Sequence, residues 1–97
     1  MMGGKIVVEV LVEDPESPRD AELLEVVRRA TAGLEGVEVR LFLYYGPHEH
    51  PYSCGILKAY KTYTIPAIVI NGKLVYGPEV PSVDELRSYL ERIRSGS

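Results

Sequence analysis

Hydrophobic and polar residues fall along this chain in blocks whose period changes several times. From Lys5 to Glu13, Ile, Val and Leu run almost without a break, as in a central strand buried on both faces, with Glu9 the one interruption. Asp14-Pro15-Glu16-Ser17-Pro18 then supplies turn residues and a helix start, with Ser17 as N-cap, Pro18 at the first helical position and Asp20 three residues past the cap. Ala21, Leu24, Val27 and Ala30, flanked by Leu23 and Val26, follow helical spacing until Gly33 and Gly36 end the helix. Val37 to Tyr45 reads as a second strand, with Val37, Val39, Leu41 and Leu43 on one side. A helical crossover of roughly 20 residues between the two strands makes them parallel.

The second half changes rhythm. After the loop Gly46-Pro47-His48-Glu49-His50, a short helix is expected over Pro51 to Thr62, weakened by Gly55. Ala67 to Ile70 and Lys73 to Tyr76 flank Asn71-Gly72, a strong signal for a tight antiparallel hairpin because both turn positions need positive φ. Ser82-Val83-Asp84-Glu85 is a capping box, and Val83, Leu86, Leu90 and Ile93 form the buried stripe of a last helix. The expected order is βαβαββα in one domain over residues 3–94, with residues 95–97 as a disordered tail.

Composition narrows the partners. The 97 residues suffice for one core without metal or disulfide staples, and 45% hydrophobic with 26% charged residues mark an ordinary globular chain. A net charge of -3 with interspersed signs offers no basic face for nucleic acid, and no apolar run is long enough to span a bilayer. Met1 to Gly4 lack the features of a signal peptide, so a cytoplasmic chain is expected. Cys54 is the only cysteine, which excludes an internal disulfide. Frequent charges, short loops and prolines are compositional marks of a thermophile.

The order of elements, together with Thr64-Ile65-Pro66-Ala67-Ile68-Val69-Ile70-Asn71-Gly72-Lys73, resembles the small glutaredoxin-like and thioredoxin-like proteins of archaea and bacteria over nearly the whole chain. The resemblance implies an α/β thioredoxin-like fold: a four-stranded mixed sheet with helices on both faces. It also implies a cis peptide before Pro66, leaving the backbone of Ile65 to pair with an extended substrate strand, and a close backbone approach at Gly77. In these relatives the first strand runs into Cys-Pro-x-Cys-Pro, and Asp14-Pro15-Glu16-Ser17-Pro18 stands in that place here. The prolines align and both sulfurs are gone. Dithiol exchange needs a thiolate at the helix start and a second thiol to resolve the mixed disulfide. The expected function is therefore a redox-inactive module that binds a protein or peptide, with Asp14, Pro15, Glu16 and Ser17 as degenerate active-site positions and Ile65, Pro66 and Gly77 as the groove.

Other chemistry is thinner. Cys54 could act alone toward glutathione or a partner thiol, which would make the chain a monothiol oxidoreductase, although a free cysteine in a short helix is most often a small buried hydrophobe. His50-Pro51-Tyr52-Ser53-Cys54 superficially resembles a glutaredoxin Cys-Pro-Tyr-Cys, but too few residues separate it from Pro66 for the intervening elements. His48, His50 and Cys54 could ligate zinc or copper, yet their spacing fits no strong signature and loop histidines beside two prolines are more often solvated. An acid–base pair of Asp14 with His48 or His50 is a further candidate, because the second strand ends at the sheet edge where the first helix begins. No cofactor is implied. Tyr44, Tyr45, Tyr52, Tyr60, Tyr63 and Tyr76 suit a protein interface, including a homodimer, or equally a core whose hydroxyls reach water.

Overall fold

The computed structural model describes residues 5–46 and 50–96. The elements follow the expected order: β1 (Ile6–Val12), α1 (Pro18–Thr31), β2 (Val37–Leu43), α2 (Cys54–Thr62), β3 (Ala67–Ile70), β4 (Lys73–Tyr76) and α3 (Val83–Gly96). They build one four-stranded mixed sheet in the order β2-β1-β3-β4. β1 pairs with β2 in parallel and with β3 antiparallel, and β3 pairs antiparallel with β4. No described helix is long and apolar enough to cross a membrane.

Alternation along β1 gives the sheet two apolar faces. Ile6, Val8, Val10 and Val12 point to one side, where they are buried with Leu23, Val26, Val27 and Ala30 of α1 and Leu86 and Leu90 of α3. Leu11 points to the other, where Phe42, Ala67 and Val69 meet Ile56 and Ala59 of α2. β1 is thus covered twice, which explains its nearly continuous apolar sequence.

Several details differ from the expectation. The buried stripe of α1 is Leu23, Val26, Val27 and Ala30 with Asp20, while Ala21 is exposed: the helix is rotated slightly so that its first turn offers an acid to the sheet end. Val39 and Leu41 share the α1 side, but β2 is an edge strand and they remain 47% and 45% exposed. α2 begins at Cys54, where Ser53 caps it by accepting from the Ile56 amide, so Pro51 and Tyr52 lie before the helix. Gly55 does more than weaken α2. A Cβ there would stand 2.6 Å from Val69 Cγ1, 2.8 Å from the Gly72 carbonyl oxygen and 2.9 Å from the Leu74 nitrogen, so the missing side chain lets α2 press onto the β3–β4 hairpin. At the C-terminus, Ser95 and Gly96 continue α3, with the Ser95 hydroxyl donating to the Glu91 carbonyl, instead of forming a tail; Ser97 lies outside the described residues.

Candidate functional site

The first turn of α1 and the segment before β3 lie together at the C-terminal end of β1. Ser17 caps α1 by accepting from the Asp20 amide at 3.3 Å, and its own N–H donates to the Asp14 carbonyl at 3.0 Å, closing a turn over Asp14-Pro15-Glu16-Ser17. Inside that turn the Asp14 carboxylate accepts from the Glu16 amide at 3.0 Å.

The organising group is Asp20. Its Oδ2 accepts from the amides of Glu13 and Asp14 at 3.0 and 2.9 Å, while the residue as a whole is only 2% exposed. The chain thus supplies its own anion to the loop amides in front of α1, a place where a foreign anion would otherwise sit. The second oxygen, Oδ1, is buried without a hydrogen-bond partner among the described residues and faces Arg19 Nε at 3.9 Å. Arg19 also reaches across to Ile65, donating from Nη2 to the carbonyl oxygen at 3.4 Å. One arginine therefore joins the turn over residues 14–17 to the segment before Pro66.

Ile65 and Pro66 are both buried, and the Ile65–Pro66 peptide bond is cis; so is Gly77–Pro78, for which the sequence reading has no expectation. Gly77 has φ +152°, and a Cβ on it would lie 2.7 Å from Thr64 Cγ2 and 2.9 Å from the Pro66 carbonyl oxygen. Its close approach is to the chain's own Pro66 loop.

Tyr63 closes α2 in the left-handed conformation, φ 54°, and this turn aims its ring at the end of β1. Its hydroxyl donates to Glu13 Oε2 at 2.7 Å. That bond to a carboxylate, helped by desolvation, pushes the phenol up to about 12. Tyr63 belongs to an aromatic array: Tyr44 stacks on Tyr60 with centroids 4.4 Å apart and meets Tyr45 and Tyr63 edge-on at 4.9 and 5.1 Å. Tyr52 links Tyr60 to Phe42, and His50 lies edge-on to Phe42. Tyr45 and Tyr63 are the open members, 74% and 53% exposed.

Cys54 stands elsewhere. α2 runs from Ser53, whose hydroxyl donates to the buried Glu9 in the middle of β1, to Tyr63 beside Glu13 at its end. Cys54 starts that nine-residue helix and so lies at the opposite end of it from Tyr63, whose hydroxyl reaches Glu13. It is exposed, not the buried small hydrophobe expected. His48 lies outside the described residues, so neither its candidacy as a ligand nor its pairing with Asp14 can be placed. Among the described residues no three His, Cys, Asp or Glu side chains converge as metal ligands.

Three residues of this candidate site make contacts that the sequence does not announce: Arg19, Asp20, legible only as an acid past the cap, and Tyr63, legible only as one of the interface tyrosines. A partial signal for Asp20 exists, because an acid three residues past an N-cap is placed to reach back over the helix start; a capping box would give it the Ser17 amide, whereas it takes those of Glu13 and Asp14. For Arg19 and Tyr63 no local pattern announces contacts with Ile65 and Glu13, which are 46 and 50 residues away. No protein-family model and no curated protein matches the chain.

Proposed function

We propose that this chain is a thioredoxin-fold protein, related to the small glutaredoxin-like and thioredoxin-like proteins it resembles, which has lost dithiol exchange and recognises an extended segment of a protein partner along the edge formed by residues 14–17 and the Pro66 loop. The observation that carries this reading is the bridge from Arg19 to the Ile65 carbonyl, which joins the two sequence-distant halves of that edge. Where relatives hold sulfur, Asp14 offers a carboxylate and Ser17 a hydroxyl. Neither forms a mixed disulfide, and Ser17 is engaged in capping α1.

The surroundings suggest the partner's chemistry. Asp14 and Glu16 are exposed beside half-buried Glu13, and the open rings of Tyr45 and Tyr63 share the Glu13 end of the sheet. Carboxylates interleaved with tyrosines favour a segment carrying lysine or arginine, held through charge and through cation–π contact.

Titration of the 15N-labelled chain with two unstructured peptides of equal length, one lysine-rich and one glutamate-rich, tests this. The lysine-rich peptide should shift the amides of Asp14, Glu16, Ser17, Arg19 and Ile65. Shifts confined to other surfaces, or equal shifts with the glutamate-rich peptide, contradict it.

The exposure of Cys54 favours one second reading, a monothiol oxidoreductase acting through that residue. Rapid native-state alkylation would support it, together with a mixed disulfide that the Cys54 thiolate forms with oxidised glutathione, releasing one reduced glutathione, and that a further reduced glutathione removes to regenerate the thiol and oxidised glutathione. A thiol that reacts no faster than free cysteine and forms no adduct would dismiss it.

A further inference from the structure

The outer edge of β2 carries a self-complementary pattern. Tyr44 N–H donates to the Val12 carbonyl and the Gly36 carbonyl accepts from Ile6 N–H, each at 2.8 Å, so the even-numbered backbone groups of this strand face β1. Backbone polar groups alternate sides along a strand; those of Val37, Val39 and Leu41 therefore point outward, along an edge that no other strand among the described residues covers. Side chains alternate too. Val39 and Leu41 lie 47% and 45% exposed on the α1 side, whereas Glu38 and Arg40 project from the other face, joined to each other at 2.7 Å.

Free edges in soluble proteins are usually blunted by charged side chains, proline or a bulge. Val37–Leu43, with sequence VEVRLFL, has no proline, its register with β1 runs without a shift from Val37 to Leu43, and its two charges, Glu38 and Arg40, are of opposite sign and lie on one face, where Lys5 also meets Glu38 at 3.1 Å.

We infer that β2 pairs antiparallel with β2 of a second copy of this chain, about a two-fold axis through Val39, merging two four-stranded sheets into one. In that register Val39 meets its own counterpart, Val37 meets Leu41 of the second copy, and their outward N–H and C=O groups exchange hydrogen bonds. The exposed aliphatic side chains of the two copies then cover one another on the α1 face. On the opposite face Glu38 stands across from Arg40 of the second copy, and Arg40 across from its Glu38. A two-fold centred one residue later sets guanidinium against guanidinium and Glu38 against Phe42, so the charges choose the register. The interface is isologous, as a closed dimer requires.

Sedimentation equilibrium on the whole chain tests this. The wild type should rise from 10.8 kDa toward twice that mass as concentration approaches about 1 mM. Glu38→Arg and Arg40→Glu each place like charges opposite one another and should weaken dimerisation about tenfold. An equimolar mixture of these two variants, and the double variant E38R/R40E, should recover it. Val39→Pro removes an outward N–H that β1 does not use and should leave a folded monomer by far-UV circular dichroism. A wild type of 10.8 kDa at every concentration overturns the inference. So does a dimer indifferent to Val39→Pro and to the charge reversals, or one abolished by Tyr45→Ala with Tyr63→Ala instead.

Discussion

Replacing Asp20 by alanine removes the acceptor that holds the loop in front of α1. The amides of Glu13 and Asp14, 3.0 and 2.9 Å from Oδ2, lose their partner inside a partly buried loop. Hydrogen bonds to a charged acceptor contribute about 1.5–3 kcal/mol each, which sets an upper figure of about 3–6 kcal/mol. Two effects reduce it. Oδ1 is buried with no hydrogen-bond partner among the described residues, so alanine also relieves the desolvation of half a carboxylate. Asp14 is exposed, and water can reach its freed amide. The expected net loss is about 2 kcal/mol, equivalent in a domain of this size to a fall in Tm of roughly 10 °C. Asp20→Asn keeps one oxygen for both amides and loses the charge, so about 1 kcal/mol is expected. Urea unfolding followed by circular dichroism reads both as a lower midpoint at unchanged slope. Hydrogen exchange should speed up at the Glu13 and Asp14 amides. A change below about 0.5 kcal/mol for Asp20→Ala, or a greater loss for asparagine than for alanine, would refute the reasoning.

Three further outcomes are expected. Gly55→Ala gains about 1 kcal/mol of helix propensity, but its Cβ would meet the Gly72 carbonyl oxygen at 2.8 Å and the Leu74 nitrogen at 2.9 Å. Overpacking against backbone outweighs the gain, so urea unfolding should show a net loss of about 1–2 kcal/mol. Tyr63, held up to about 12 by Glu13, should be the late phenol in a pH titration followed by ultraviolet absorbance, and Glu13→Gln should return it toward ordinary tyrosines. Because its folded value is raised, the stabilisation from this bond is complete below the ordinary tyrosine range near 10 and disappears as pH rises through about 12. Glu38, lowered to about 2 chiefly by its bond to Arg40 and then by Lys5, contributes stability above the ordinary glutamate range that is lost as pH falls through about 2; carboxyl NMR should find Glu38 moved upward in Arg40→Ala.

Periodicity and turn chemistry made the fold legible. The doubly covered β1, the Asn71-Gly72 hairpin and the Ser17 and Ser82 caps are local signals whose physics does not depend on the rest of the chain. The departures have tertiary causes. Nothing local distinguishes an edge strand from a central one in Val37–Leu43, because Val39 and Leu41 become exposed only through the order of strands. Gly55 reads as a helix weakener until the hairpin is seen against it. At the candidate site, the absence of cysteine from Asp14-Pro15-Glu16-Ser17 was plain. The contacts of Arg19 with Ile65 and of Tyr63 with Glu13 were not, since they join residues far apart in sequence.

Reduction of insulin disulfides driven by dithiothreitol addresses the central claim most directly. The natural chain should reduce no faster than dithiothreitol alone, while Asp14→Cys with Ser17→Cys, set on a turn already closed by the Ser17 N–H to Asp14 carbonyl bond at 3.0 Å, should form an internal disulfide and accelerate the reaction. Rapid reduction by the natural chain that disappears on Cys54→Ser would contradict the account.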